Sequence, residues 1–414
     1  MQKKKKNTLR HIRHRLVIVL PALFIILITL LIANTHMNRS QVTDPKDLST
    51  DISLSEDLTD ASFDDTDKAP VIDDTDYISQ TPVDTHVDTH MQDTPKEPDA
   101  DSSPLTLLFT GDVLLSDYVL DNYNRSGIDG VLSPELLSEL RDADITVINH
   151  EFPFSTRGVQ APDKQFTFRV DPKYVSALTD MGVDIAGLAN NHVLDYGPDA
   201  LADTFATLDH AGIEYMGAGD DLARASALIT KEVGGKTFGF LAASRVIPVV
   251  SWDAQNASPG VFTTYDPTRL VEAVKTARGS CDFLTVFVHW GIEREEYPQD
   301  YQVTMAQQYI DAGADLVIGS HPHVLQGVTY YKDKPVFYSL GNFIFNQNIP
   351  KTAVVKVTID GDKAPVFQLI AAAASGAKTS VCESSQKTIV FDYLENISTG
   401  ISIDENGILS KTTD

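Results

Sequence analysis

Cysteine is nearly absent from this 414-residue chain: two residues exclude a disulfide scaffold and any Cys-rich zinc or iron–sulfur centre. Basic residues are also scarce, 33 Lys and Arg against 58 Asp and Glu, for a formal net charge of -25. That balance argues against a nucleic-acid binder, whose affinity rests on neutralising phosphates with Lys and Arg. Apolar periodicity is missing between Gln41 and Ser103, so that stretch lacks the means to offset its ordering entropy. Hydrophobic residues nevertheless make up 42% of the chain, enough to bury a core and to exclude wholesale disorder.

Charge is distributed in three zones. Residues 1–40 carry eight basic and no acidic residues; residues 41–103 carry 18 acidic and three basic ones, which leaves -18 for the rest. The basic segment 1–15 precedes Leu16 to Ala33, an uncharged run with Thr29 as its one polar residue. Eighteen residues at about 1.5 Å each just span a hydrocarbon core of roughly 30 Å. The run exceeds a signal-peptide core of about 7–15 residues and no A-x-A site follows, favouring an uncleaved anchor over a removed leader. The positive-inside rule places the N-terminus in the cytoplasm and the main domain outside, in a single-pass bacterial membrane topology. Residues 34–103 read as a disordered acidic tether. Its doubled V-D-T-H at 83–90 is too short to specify a metal tract.

From Pro104 the pattern turns to short β-rich runs alternating with helical stretches, an α/β signature. Strands are expected at 105–111, 144–149, 184–190, 237–243, 283–290, 315–320 and 335–340. Helices are expected at 133–141, 171–181, 198–211, 266–278 and 301–312, with Ser133-Pro134 and Asp266-Pro267 as starts. Residues 104–350 would form the working domain, and 351–414 a β-rich extension packed on it, completing a sheet edge or a small appendage.

Polar residues cluster where these strands end: Asp112; Asn149, His150 and Glu151; Asn190, Asn191 and His192; His289; Ser320, His321 and His323. In open α/β sheets ligands bind outside the carboxyl ends of strands, so these groups would converge on one rim. Imidazoles and carboxylates suit manganese, zinc or iron without thiolates. Of eleven histidines, five lie in the anchor and linker and four of the remaining six sit at these strand ends. His210, at a helix end, reads as a dipole partner. His150 should point away from its neighbours by strand alternation. In an extended His321-Pro322-His323, both imidazoles would face one centre, with Pro322 stiffening the presentation.

The ordered strings G-D-V-L-L-S-D, N-H-E-F-P, A-N-N-H-V-L-D-Y-G, H-W-G, G-S-H-P-H-V and Y-S-L-G-N-F resemble the CapA-type poly-γ-glutamate capsule synthesis proteins. That family looks like part of the calcineurin-like metallophosphoesterase superfamily. The resemblance covers roughly Leu105 to Asn346. It implies a metallophosphatase-like layered sandwich of mixed β-sheets flanked by helices. It also implies one or two divalent metal ions held by Asp112, Glu151, Asn191, His289, His321 and His323, with His192 as the catalytic acid. Asn149, Asn190 and Asn342 would support them. Leu114 stands where the superfamily has a metal-binding histidine, and N-H-E replaces its usual G-D-x-x-D, so one ion lacks an imidazole.

Arg169 and Arg245 could clamp a phosphate or polymer carboxylate, or form surface salt bridges. Glu293, Glu295 and Glu296 after H-W-G read as a solvated acidic loop, from which Glu293 could approach the metals. Three functions stay open: a membrane-anchored accessory protein working with capsule polymer synthase or export subunits on an anionic polymer, a free-standing phosphoesterase, or a non-catalytic scaffold. Spacing does not establish whether Cys281 and Cys382 pair; a bridge would pin the tail to the core.

Overall fold

The computed structural model describes residues 103–412. The basic segment, the apolar span and nearly all of the acidic linker lie outside the described residues. Among the described residues, no helix is long and apolar enough to cross a membrane.

Two mixed β-sheets carry the fold. The first runs Lys378–Val381, Val366–Ser375, Ile349–Ile359, Leu105–Val113, Ile145–His150, Ile185–Gly187, Glu214–Met216, with Asn342–Ile344 added beside Leu105–Val113. The second runs Val328–Tyr331, Lys334–Phe337, Leu316–Ser320, Phe283–His289, Lys236–Ser244, Ile229–Val233. Leu105–Val113, Ile145–His150 and Phe283–His289 are buried along nearly their whole length because the central strands are covered on both faces. One core joins the sheets, where the Phe109 and Phe240 rings lie 6.4 Å apart. A second cluster fills the space between the second sheet and helices Thr268–Arg278 and Asp300–Ala312, around Trp290 and Tyr309.

Most expected elements form within a residue or two of their expected bounds. Helix Pro134–Asp142 begins at Ser133, whose hydroxyl accepts from the Leu136 N–H, with Pro134 in the first turn. The Asp266-Pro267 start is displaced: the helix begins at Thr268, and Asp266 accepts from the Thr268 N–H in a local turn. Expected strand 184–190 shortens to Ile185–Gly187 because Asn190 starts a turn.

The tail departs most from expectation. Ile349–Ile359 pairs antiparallel with Leu105–Val113, so it lies inside the first sheet, and only Lys378–Val381 forms an edge. The tail is also not purely β, because Ser384–Ile397 is a helix that buries Val390, Phe391, Leu394 and Ile397. Those positions recur at helical spacing, although Val390 and Phe391 are also β-formers. Cys281 and Cys382 are both free thiols, and no bridge pins the tail.

Gly111 has no room for a side chain. An added Cβ would lie 1.8 Å from the carbonyl oxygen of Gly341, which also accepts from the Asp112 N–H at 2.9 Å. Gly341 itself has φ +66, a left-handed conformation that glycine adopts without steric cost. Gly111→Ala should therefore destabilise by at least about 1–3 kcal/mol, the usual range for overpacking, because backbone must move. Denaturant unfolding checks this; an unchanged midpoint would mean the strand and the Gly341 loop are not held together.

Candidate metal centre

Strand register builds the centre. Asp112 pairs with Asn149, and Val113 with His150, across the parallel strands Leu105–Val113 and Ile145–His150. Asp112 and Asn149 therefore face the same way, next to an irregularity in the ladder of the kind that re-aims side chains beside sites. Asn149 Nδ2 donates to Asp112 Oδ1 at 2.8 Å and to Glu151 Oε2 at 3.2 Å, so one carboxamide ties two carboxylates together. His150 points to the other face, packed on Phe152 and Phe154 at 4.0 and 4.9 Å. Burial pushes its pKa down to about 3. It is a core residue, as alternation requires.

From the second sheet, His289 pairs with Ser320, and its Nδ1 lies 3.0 Å from Ser320 Oγ. His289 Nε2 meets Asn191 Oδ1 at 2.9 Å. The hydroxyl serves Nδ1 as donor if Nε2–H donates to the amide oxygen, which sets the tautomer. His323 Nδ1 lies 3.1 Å from Asp112 Oδ2 and 2.8 Å from Asn342 Oδ1, and its Nε2 lies 4.0 Å from Glu151 Oε1. Asp112, Glu151 and His323 each offer a ligand atom within 4.8 Å of the others.

His321 and His323 reach the centre by a route the sequence does not show. The segment is not extended: His321 has φ 100 and His323 φ 59. Left-handed backbone at two non-glycine residues costs on the order of 1–3 kcal/mol each, and such strain concentrates at functional sites. The rings still gather, with centroids of His289 and His321 4.8 Å apart and those of His321 and His323 5.9 Å apart.

Three buried atoms in this cluster have no hydrogen-bond partner: Asp112 Oδ2, Glu151 Oε1 and His321 Nδ1. Burial, then the neighbouring Asp112, pushes Glu151 well above the carboxylate range. Burial lowers His289 and His321, the latter to about 3, favouring the neutral ligand form. At His323 burial opposes the proton but Glu151 and Asp112 prevail and hold it up to about 10. Orphaned carboxylate oxygens beside imidazoles fit a divalent cation, for which Asp112, Glu151 and His323 lie close enough together.

His192 sits at the edge of this group. Asn190 Oδ1 accepts from the His192 and Val193 N–H groups, both at 3.0 Å, folding the turn that aims the imidazole. Asn190 is thus a turn-former, and its Nδ2 donates to the His150 carbonyl at 2.8 Å. His192 Nδ1 lies 2.7 Å from Asp195 Oδ2 and 3.0 Å from Lys164 Nζ. Phe168 covers the ring at 4.4 Å. Sequence reasoning passed over Asp195, three residues after His192, and Lys164, which lies in a loop without periodicity.

The two arginines play other parts. Arg169 is exposed, donates to the Arg157 carbonyl at 2.9 Å and stacks on Tyr196 at 4.1 Å. Arg245 lies over Tyr301 at 3.9 Å. Glu293 is exposed on its loop.

Residues 106–347 match the family model of the bacterial capsule synthesis protein PGA_cap. The chain belongs to this family. The capsule biosynthesis protein CapA of Bacillus anthracis is 32% identical over 262 residues, covering 61% of this chain and 62% of that protein. The chain therefore spans less than two thirds of that relative's length. The PGA biosynthesis protein CapA of Bacillus subtilis is 31% identical over 262 residues, covering 63% and 68%. A probable polyglutamine synthesis accessory protein of Mycobacterium tuberculosis is 35% identical over 212 residues, covering 49% and 55%. Among solved structures, a novel phosphatase from Mycoplasma pneumoniae aligns at TM-score 0.44 and 12% identity, over 66% of this chain and 95% of that one.

Proposed function

We propose that this capsule synthesis family member is a membrane-anchored, extracytoplasmic accessory protein with a metal-dependent phosphoesterase site. Its partners would be the subunits that make or export poly-γ-glutamate or a related anionic polymer. What supports the capsule assignment is family membership, together with relatives named for capsule and PGA biosynthesis. What supports the anchor is the apolar run 16–33 behind its basic flank. The fold reading is metallophosphatase-like, two mixed sheets face to face with the site at their strand ends.

The observation that carries the chemistry is the set of orphaned atoms on Asp112, Glu151 and His321 beside the His192–Asp195 pair. Asp112, Glu151, His321 and His323 would hold a divalent cation, with Asn191 and His289 adjoining. A cation bound there supplies Lewis acidity toward a phosphoryl oxygen and toward a water nucleophile. With Nδ1 engaged, His192 presents Nε2 to the substrate. A water oxygen would form the new P–O bond as the bond to the leaving group breaks; the departing oxygen would take the Nε2 proton of the His192 imidazolium, and the proton released by the water would restore it. Asp195 holds the imidazole in place and stabilises its charged form. Asn149 keeps the two carboxylates in register.

Two observations favour a non-catalytic second reading. His323 carries a proton at neutral pH and lies 3.1 Å from Asp112, so part of the acidic charge is already balanced. Leu114 is buried in the core where the superfamily would place another imidazole.

Metal analysis of the full-length chain, paired with hydrolysis of p-nitrophenyl and bis-p-nitrophenyl phosphate, separates the two. Bound metal with activity lost in His192→Ala and His321→Ala supports the phosphoesterase. Metal without turnover, or no metal, leaves the scaffold. Cations bind deprotonated donors; His323 is held up to about 10, and burial, then Asp112, pushes Glu151 well above the carboxylate range. Affinity should therefore tighten as pH rises from 6 to 9, with about one or more protons released per ion by calorimetry in buffers of different ionisation enthalpy. A pH-independent affinity would put the cation elsewhere.

A further inference from the structure

His192 Nδ1 faces two groups with opposite demands. Asp195 Oδ2, at 2.7 Å, accepts a proton; Lys164 Nζ, at 3.0 Å, donates one. Both cannot be satisfied by a single ring nitrogen in one state, so other contacts must decide the contest. Lys164 has two further acceptors: Asp195 Oδ1 and the backbone carbonyl of Asn191. Asp195 Oδ2 accepts a second hydrogen bond, from the Phe168 N–H at 2.7 Å. The ammonium is thus occupied by oxygens, and the ring N–H belongs to Asp195.

Lys164 also sits where few lysines do. Its side chain is 12% exposed, against a fully buried Asp195, and its Nζ lies 5.3 Å from the Trp252 ring. It comes from the irregular segment between Ile145–His150 and Pro172–Val175. That segment is fastened to the His192 turn at other points: Val159 N–H to the Tyr196 carbonyl at 3.1 Å and Ala161 N–H to the Asp195 carbonyl at 2.7 Å. Backbone bonds alone would hold the loop. Lys164 adds a charge-assisted clamp on the carboxylate that orients the imidazole.

From this geometry we infer that Lys164 is a positioning residue: it locks Asp195 and the Asn191 carbonyl so that His192 keeps Nδ1–H bonded to Asp195 and, as the imidazolium, presents Nε2–H to the leaving group. This rests on the phosphoesterase reading for its kinetic consequence, but the tautomer it fixes exists independently of turnover. The Lys164 ammonium is taken up by Asp195 Oδ1 and the Asn191 carbonyl.

The test uses the full-length chain and two esters of different leaving group. Phenyl phosphate needs its leaving oxygen protonated, whereas 2,4-dinitrophenyl phosphate departs largely without help. In Lys164→Met, kcat should fall about tenfold or more on phenyl phosphate and less than about threefold on the dinitrophenyl ester, with KM within about twofold. Lys164→Gln keeps a donor to Asp195 without the charge and should lie between the two. Because Lys164 acts through Asp195, Lys164→Met added to Asp195→Asn should cost nothing further. Histidine-selective ¹⁵N spectra, with His192 assigned by its Gln variant, should show one Nδ1–H form in wild type and a mixture in Lys164→Met.

Equal losses on both esters with an unchanged ¹⁵N pattern would overturn the inference and leave Lys164 a loop strap. If wild type hydrolyses neither ester with manganese, zinc or iron, the phosphoesterase reading falls, and the ¹⁵N comparison alone decides Lys164.

Discussion

Glu151→Gln should give a protein that no longer binds a divalent cation at this centre, yet melts higher than wild type in chelator. Glu151 is fully buried, its Oε1 has no partner, and burial and Asp112 both push its pKa up. An acid whose folded pKa exceeds its unfolded value of about 4.3 destabilises the fold increasingly as pH rises above that value. At pH 7 the amide removes this cost, a gain of about 1–3 kcal/mol, the scale of replacing a poorly compensated buried charge by a neutral group. The advantage should shrink toward pH 4.3, where the unfolded carboxyl is itself protonated. Saturating metal should reverse the order, because only wild type gains the binding energy. Thermal melts with and without chelator at pH 7 and 4.5 check all three signs. A variant that melts lower than wild type in chelator would show that Glu151 is already satisfied within the fold.

The second large effect belongs to Asp195. Asp195→Asn keeps the volume and one acceptor oxygen but removes the charge opposite His192 Nδ1 and Lys164. If His192 delivers the leaving-group proton, kcat should fall about 10²–10⁴-fold, the span of general acid catalysis, with KM little changed. His192→Ala should fall as far, and the double variant no further, because the two residues act as a unit. Metal content should be unaffected in Asp195→Asn, since Asp195 is bonded to the imidazole and the loop and not to the carboxylate cluster. A parallel loss of metal would move Asp195 into the support of the ion.

How much of this was readable beforehand depended on the kind of signal. Asp112, Asn149, Glu151, His289 and His321 each follow or end an apolar run, and strand length then carries them to a common rim. His150 was separable from Asn149 and Glu151 by alternation alone, and its packing on Phe152 and Phe154 agrees. The His321-Pro322-His323 geometry was not readable, because proline fixes its own φ and says nothing of positive φ on either side. Lys164 and Asp195 come from turns, where no period marks which residue faces inward; the i,i+3 spacing of His192 and Asp195 was the available hint. The tail misled through composition. Thr388, Ile389, Val390 and Phe391 favour strands individually, while the helix that forms is decided by where Val390, Phe391, Leu394 and Ile397 find the core.

Strand Ile349–Ile359, which lies against Leu105–Val113, sets an order of events. The strand that carries Asp112 is bordered on one side by residues emerging some 40 positions later and on the other by residues emerging about 250 positions later. A nascent chain stopped at residue 347, the end of the family match, would leave that edge of Leu105–Val113 unpaired. Loop closure over so long a separation is slow and entropically late. The ribosome must therefore finish most of the chain before Asp112 and Glu151 acquire their surroundings. A cation at this centre would therefore be acquired after most of the chain is made, and not while Leu105–Val113 is emerging.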